Sequence, residues 1–532
     1  METALVSLIC VAMLIVGAVT VTFNAFQSVT TVADSLREME QQTAETRLTE
    51  IEASQWGQST YTIVYEGAND DGYLKTIEIA PNGLITKSTI DTLVFDETCV
   101  EPDITYVSGD VYAISYEGLS GDGYLTTVQV NDEGQITDTV IDTLEFDILE
   151  GLTPEINRVS GDVYAIAYTG ESDDGYLVTV EIAPDGQITD TVIDTLEFDA
   201  VDCLTPDIIH ISGNIYAIVY TGESDDGYLV TVEIAPDGQI TDAVIDTLEF
   251  DAESSLDPRI INVTGSIYAI VYMGYLNDGF LKTVEIAPDG QITDAVIDTL
   301  EFDTVDGHTP DITHASGNIY SLAYVGTQSD GFVKTVEIAA GGQITDTIID
   351  TLEYDTLSAG GPDIIETSDG LFAIVYMGED SDGFVRMVET ETNGQITDTV
   401  IDTFEFDTVY GGTPDIMAIR GGGNSVCLKV INQGEASLTE FAKWDIIIQY
   451  ENGTATYMIY TTSTTPGSNE WTVAGIYLLS EDPEVFDPGI LDPGEQMKLS
   501  LNVDPAISPG ETVRITVSTP NGVKSMCLVT MD

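Results

Sequence analysis

LTPDIIHISGNIYAIVYTGESDDGYLVTVEIAPDGQITDAVIDTLEFD, residues 204–251, divides into four apolar stretches: DIIHI, IYAIVYT, GYLVTVEIA and QITDAVIDTLEF. The separators SGN, ESDD and APDG are turn formers, so the unit reads as four antiparallel strands joined by tight hairpins. The unit recurs, because Tyr112, Tyr164, Tyr216, Tyr268, Tyr320 and Phe372 stand 52 residues apart. A constant period over hundreds of residues means stacked or radial copies of one supersecondary unit. Four antiparallel strands per unit of this length form the blade of a β-propeller.

The ends of the repeat fix the blade number. The three-strand group that begins near Tyr61 occurs seven times, and so does the strand that follows Pro102, Pro154, Pro206, Pro258, Pro310, Pro362 and Pro414. The two series are offset, so the chain enters with three strands that lack an inner partner and leaves with a lone inner strand, PDIMAI. Pairing that strand with the first three closes seven blades and leaves no free edge. The residue after each proline is Asp103, Glu155, Asp207, Arg259, Asp311, Asp363 or Asp415, which predicts a ring of six carboxylates and one guanidinium at one channel mouth. Hard cations favour carboxylate oxygens, so Ca²⁺ is the candidate ion for such a ring, against the plainer reading that Asp after Pro caps a turn. The ESDDG loops lack the spacing of a calcium loop and read as solvated hairpin tips.

Neighbouring units are near copies: residues 163–200 and 215–252 differ only at Val163/Ile215, Ala167/Val219 and Thr191/Ala243. A catalytic group must differ from its equivalents in other blades, and the histidines His210, His308 and His314 form no nucleophile or metal motif. No enzyme activity is expected, and no catalytic residue, metal or cofactor is assigned.

The chain holds 92 acidic and 15 basic residues, a formal net charge of -77. That charge excludes nucleic acid and anionic lipid as partners and is typical of salt-adapted or exported surfaces. Two sequons, at Asn262 and Asn452, are candidate glycosylation sites. Of the five cysteines, Cys427 and Cys527 are the one candidate disulfide pair.

ALVSLICVAMLIVGAVTVTF, residues 4–23, carries no charge and is long enough to cross a bilayer as a helix. Apolar residues then recur at three- and four-residue steps to Ile51, which predicts one long N-terminal α-helix over 1–54. Leu5, Leu8, Leu14, Ile15, Phe23, Phe26, Val29, Leu36 and Met39 are its candidate packing residues, and Glu2 is its N-terminal charge. A helix longer than a bilayer suits packing against copies of itself. From residue 421 the repeat is lost, and about seven short apolar strands predict a β-sandwich over 421–532, in which Trp444 and Trp471 read as core. The expected fold is therefore mainly β with one long N-terminal α-helix, a seven-bladed β-propeller over 55–420 and the sandwich.

METALVSLICVAMLIVGAVTV with its amphipathic continuation resembles the mature N-terminus of archaeal type IV pilins and archaellin-like subunits, and FAKWDIIIQYENG and DPGILDPGEQMKLSL resemble their sandwich heads. Leu5 stands where bacterial-type pilins carry an acidic residue, and the basic residues and glycine of a prepilin cleavage site are absent. The resemblance implies a structural subunit of an extracellular filament, a homo-oligomer held through N-terminal helices, membrane-bound before assembly. Its propeller would be displayed for adhesion to surface glycans or proteins. The alternatives are a monomeric membrane-anchored adhesin or filament-accessory protein, and a tethered propeller hydrolase.

Overall fold

A computed structural model describes residues 48–530 apart from single positions and the stretches 55–59, 420–422, 433–436, 451–452, 463–468, 479–489, 508–511 and 520–523. Among the described residues every regular element is a strand or a three-residue helical turn. This corrects the expected long helix: Leu48–Ser54 is a β-strand, paired antiparallel with Gly423–Asn432 through Ile51↔Val430 and Ala53↔Leu428. LTEIEAS allows a strand reading as well as a helical one, and partnership with a neighbouring strand overrides the helical spacing. The rest of the expected helix, with Glu2 and all the packing residues from Leu5 to Met39, lies outside the described residues. No helix among the described residues is long and apolar enough to cross a membrane.

Seven four-stranded antiparallel sheets make up residues 57–422. One of them, blade 4, runs Leu204–Ser212, Ile215–Thr221, Gly227–Glu233 and Asp246–Asp251 from the channel outwards. Blade 1 is composite: Gly412–Ala418 from the end of the repeats pairs with Thr60–Glu66, which leads to Gly72–Glu78 and Asp91–Asp96. The outermost strand is shorter than its apolar stretch suggests. Ile240 instead bridges to Ile234 across the APDG turn, and its N–H donates to Asp194 of blade 3, so this segment is fixed to its neighbour rather than continuing the strand.

The cores lie between blades. Each of seven apolar clusters draws on two adjacent sheets, including one that joins Leu371, Ala373 and Val375 of blade 7 to Tyr61, Ile63 and Tyr65 of blade 1. Carboxylates fasten the same seams. The Asp that ends each outer strand accepts from a tyrosine hydroxyl of the next blade at 2.6–2.8 Å, from Asp96–Tyr116 round to Asp407–Tyr65. Its other oxygen caps the amide two residues on, as Asp303 does for Val305. In four blades a cation joins this fastening: Lys75, Lys282, Lys334 and Arg386 reach back to Asp407, Asp251, Asp303 and Asp355. The Asp that starts each outer strand accepts the amide of an isoleucine in the next blade, ending with Asp402 and Ile85 across the closing seam.

The strands of the second unit form one eight-stranded sheet in the order Leu48–Ser54, Gly423–Asn432, Glu495–Ile507, Glu470–Leu478, Ala455–Tyr460, Asp445–Gln449, Thr512–Ser518 and Lys524–Thr530, antiparallel except where Ala455–Tyr460 pairs parallel with Glu470–Leu478. They enclose a single core that contains Leu428, Ile446, Ile448, Leu499 and Ile515. Trp444 and Trp471 are buried in it. In sequence the propeller is thus an insertion between two strands that pair with each other.

Candidate functional site at the channel mouth

The second to fourth residues of each inner strand are a residue, a proline and the ring residue, and these triplets from all seven blades line one cavity of about 330 Å³. The residue before each proline has a positive φ, from 39° at Thr413 to 51° at Gly361. Only Gly361 takes that conformation without a Cβ penalty, so the mouth is built on strained backbone in the other blades.

The structure brings Asp103, Glu155, Asp207, Arg259, Asp311, Asp363 and Asp415 together on that cavity. Five of the carboxylates have a structural partner that the sequence reading missed. Asp103 accepts from the Ile156 amide at 2.7 Å, Asp207 from Ile260 at 2.8 Å, and Asp311, Asp363 and Asp415 from Ile364, Ile416 and Ile104 at 2.9 Å. Each bond crosses to the next blade, so the Asp caps a neighbour's strand rather than its own turn. The two departures satisfy each other: Glu155 and Arg259, two blades apart, form an ion pair.

Burial dominates the electrostatics. It pushes Asp103 up to about 8, aided by Glu155, and Asp363 up to about 8, aided by Asp415. Asp207 rises to about 7 through burial, with Arg259 opposing, while Asp311 and Asp415 lie well above the ordinary carboxylate range. Side-chain hydrogen bonds link Asp311, Asp363, Asp415 and Asp103 in a chain of adjacent blades, and a bond between two carboxyls requires a proton. Among the described residues no three His, Cys, Asp or Glu side chains form a metal-binding group.

The remaining candidates sit apart. His210 and His314 bond the carbonyls of Gly213 and Gly317, and Asn262 bonds that of Gly265 in the same way, so these residues cap equivalent loops in blades 4, 6 and 5. His308 lies 3.6 Å from Asp306. Cys427 and Cys527 stand on Gly423–Asn432 and Lys524–Thr530, but their side chains, like Asn452, lie outside the described residues. Cys99 and Cys203 are buried free thiols whose pKa burial raises well above the usual value.

The cavity marks one face of the propeller. The loop after each outer strand leads into the cavity lining and bonds to the hairpin loop between the second and third strands, as Cys203 N–H does to the Asp173 carbonyl and Gly307 N–H to that of Asn277. Among the described residues of the propeller, nine of eleven large exposed apolar side chains belong to these two loop sets; Leu84 and Val94 are the exceptions. The chain enters at Thr60 and leaves after Ala418 on the opposite face, where the Ile419 amide bonds the Thr60 carbonyl.

No known family model matches the chain, and no curated protein matches it. Among solved structures, a candidate 6-phosphogluconolactonase from Bacteroides fragilis is 15% identical, with a TM-score of 0.52 over 68% of this chain and 98% of its own. The BP39L lectin from Burkholderia pseudomallei is 11% identical, with a TM-score of 0.47 over 67% of this chain and 100% of its own. The archaellum periplasmic stator protein FlaG from Sulfolobus acidocaldarius is 20% identical over 20% of this chain and 87% of its own, with a TM-score of 0.16. The first of these likenesses shows a shared propeller-like fold, and nothing of activity follows from it.

Proposed function

We propose that this chain is a cell-surface protein whose propeller is a binding head displayed outside the cell, and that it catalyses no reaction. The observation that carries this reading is the use made of the seven ring residues, beside which Glu101, raised to about 7 by burial, and Asp257 also line the cavity. Five ring carboxylates hold the next blade's backbone, and the other two ring residues hold each other. A general acid or nucleophile needs a group free to act on a substrate, set apart from its equivalents by its surroundings. Display outside the cell rests on the uncharged run at 4–23 and on the net charge of -77. That run is the segment that would hold the protein at the membrane or in a surface filament of the kind its sequence resembles.

Immunogold labelling of intact cells with an antibody against the propeller, together with negative-stain microscopy of sheared material, tests the proposal. Surface label that is lost when residues 4–23 are deleted is the expected result, and label on sheared fibres would assign the protein to a filament. Label confined to the cell interior would overturn it, as would a hydrolytic activity abolished by one substitution in the cavity.

A further inference from the structure

We propose that the cavity face of the propeller docks a basic polypeptide segment that also carries apolar side chains; this names a partner class for the binding head proposed above. Leu149, Val201, Val305, Leu357 and Val409, one per blade in five blades, occupy equivalent positions in the loops after the outer strands and are 57–63% exposed. Apolar side chains scattered singly over a surface need no explanation, but here they recur at one position of the repeat and gather on one face. The face lies opposite the points where the chain enters and leaves the propeller.

Charge selects the occupant. Glu171, Asp173, Glu223 and Asp225 are exposed on the adjoining hairpin loops, so the acidic surface of this face is the rim around the cavity. Arg259 shows that a guanidinium fits this lining, since it is held there by Glu155. A second copy of the chain would bring its own charge of -77 against this surface, and anionic lipid is repelled in the same way. A glycan calls for open aromatic platforms, whereas the most exposed recurring residues on these loops are aliphatic, and the aromatics that follow the hairpin loops, such as Tyr176 and Tyr228, are only partly exposed and stack on Tyr168 and Tyr220. A segment with Lys or Arg beside Leu- or Val-type residues matches both features.

The test uses the full chain and fluorescein-labelled peptides of alternating Lys and Leu, Lys and Ser, or Glu and Leu, with binding read by anisotropy at about 0.15 M salt, where exposed charges are screened beyond about 8 Å. The Lys/Leu peptide should bind at least about tenfold more tightly than Lys/Ser, equivalent to about 1.4 kcal/mol. Replacing the five aliphatic residues by Ser should abolish that advantage while the tyrosine circular dichroism of the propeller is kept. Equal binding of the two Lys peptides, tighter binding of Glu/Leu, or an advantage that survives the Ser replacements would overturn the proposal. Dimerisation of the chain through the five aliphatic residues would do the same. Peptide binding in solution does not depend on where the protein is displayed, so failure here and failure of the labelling experiment are separate results.

Discussion

Asp103→Asn should make the propeller more stable at pH 8 and leave it nearly unchanged at pH 5. The amide keeps an oxygen for the Ile156 N–H, which donates to the native carboxylate at 2.7 Å, and removes a charge from beside Glu155 and Asp415. Burial raises Asp103 to about 8, so between the unfolded carboxylate value near 4 and pH 8 the folded state holds a proton that the unfolded state has lost. For an acid whose folded pKa is raised, stability therefore falls as pH rises through that window. A full proton of difference is a slope of about 1.4 kcal/mol per pH unit, but the four linked aspartates share their protons, so about 1–3 kcal/mol is expected over the window. Urea unfolding at pH 5, 6, 7 and 8, followed by tyrosine circular dichroism, measures this, because residues 57–422 contain no tryptophan. Native stability should decline across the series and the variant should flatten the decline. A native profile that is level or rising, with Asp103→Asn destabilising equally at every pH, would mean that the ring carboxyls are not held protonated in the folded state.

Four further outcomes concern the seams and the residues packed beside them. Asp303→Ala removes the acceptor of Tyr324, Lys334 and two amides and should cost about 3 kcal/mol, whereas Lys334→Val should cost about 1 kcal/mol because Val178 and Val230 occupy its position in other blades; urea midpoints compare them. Lys334 holds Asp303 below the usual carboxylate range, so the stability from this pair is present at neutral pH and lost as pH falls below about 4, which acid titration of the native protein and Lys334→Val would show. Gly227→Ala would set a Cβ 2.5 Å from the Phe250 ring and 2.7 Å from Ser255 Cβ, at a cost of about 3 kcal/mol in thermal or urea unfolding. Mass-spectrometric mapping of thiol labelling should find Cys99 and Cys203 unmodified in the native protein and reactive in urea.

The sequence shows the blades because a period and its turn formers are local signals. Pro102 and its equivalents likewise mark a ring, since seven copies of one position must encircle the axis. The purpose of that ring was illegible, because the hydrogen bond that defines it joins Asp103 to Ile156, a full blade away. The tyrosine fastening carried a signal that went unread: Tyr220 and Asp199 sit at positions held in every repeat, and only the distance between them hid the contact. At the other extreme, Leu48 and Ile51 fit helical spacing, but their strand is specified by residues 427–432, on the far side of the propeller in sequence.

A strand from the end of the repeats closes the ring on its beginning. Thr62 and Met417 are paired across that seam, and the Thr62 hydroxyl bonds the Met417 carbonyl although 355 positions separate them. Paired strand residues have Cα atoms about 4.5–5.5 Å apart, within disulfide range. Thr62→Cys with Met417→Cys should form an intramolecular disulfide on mild oxidation, seen as a faster band that reduction reverses. Free thiols at both positions, or crosslinks only between molecules, would contradict closure.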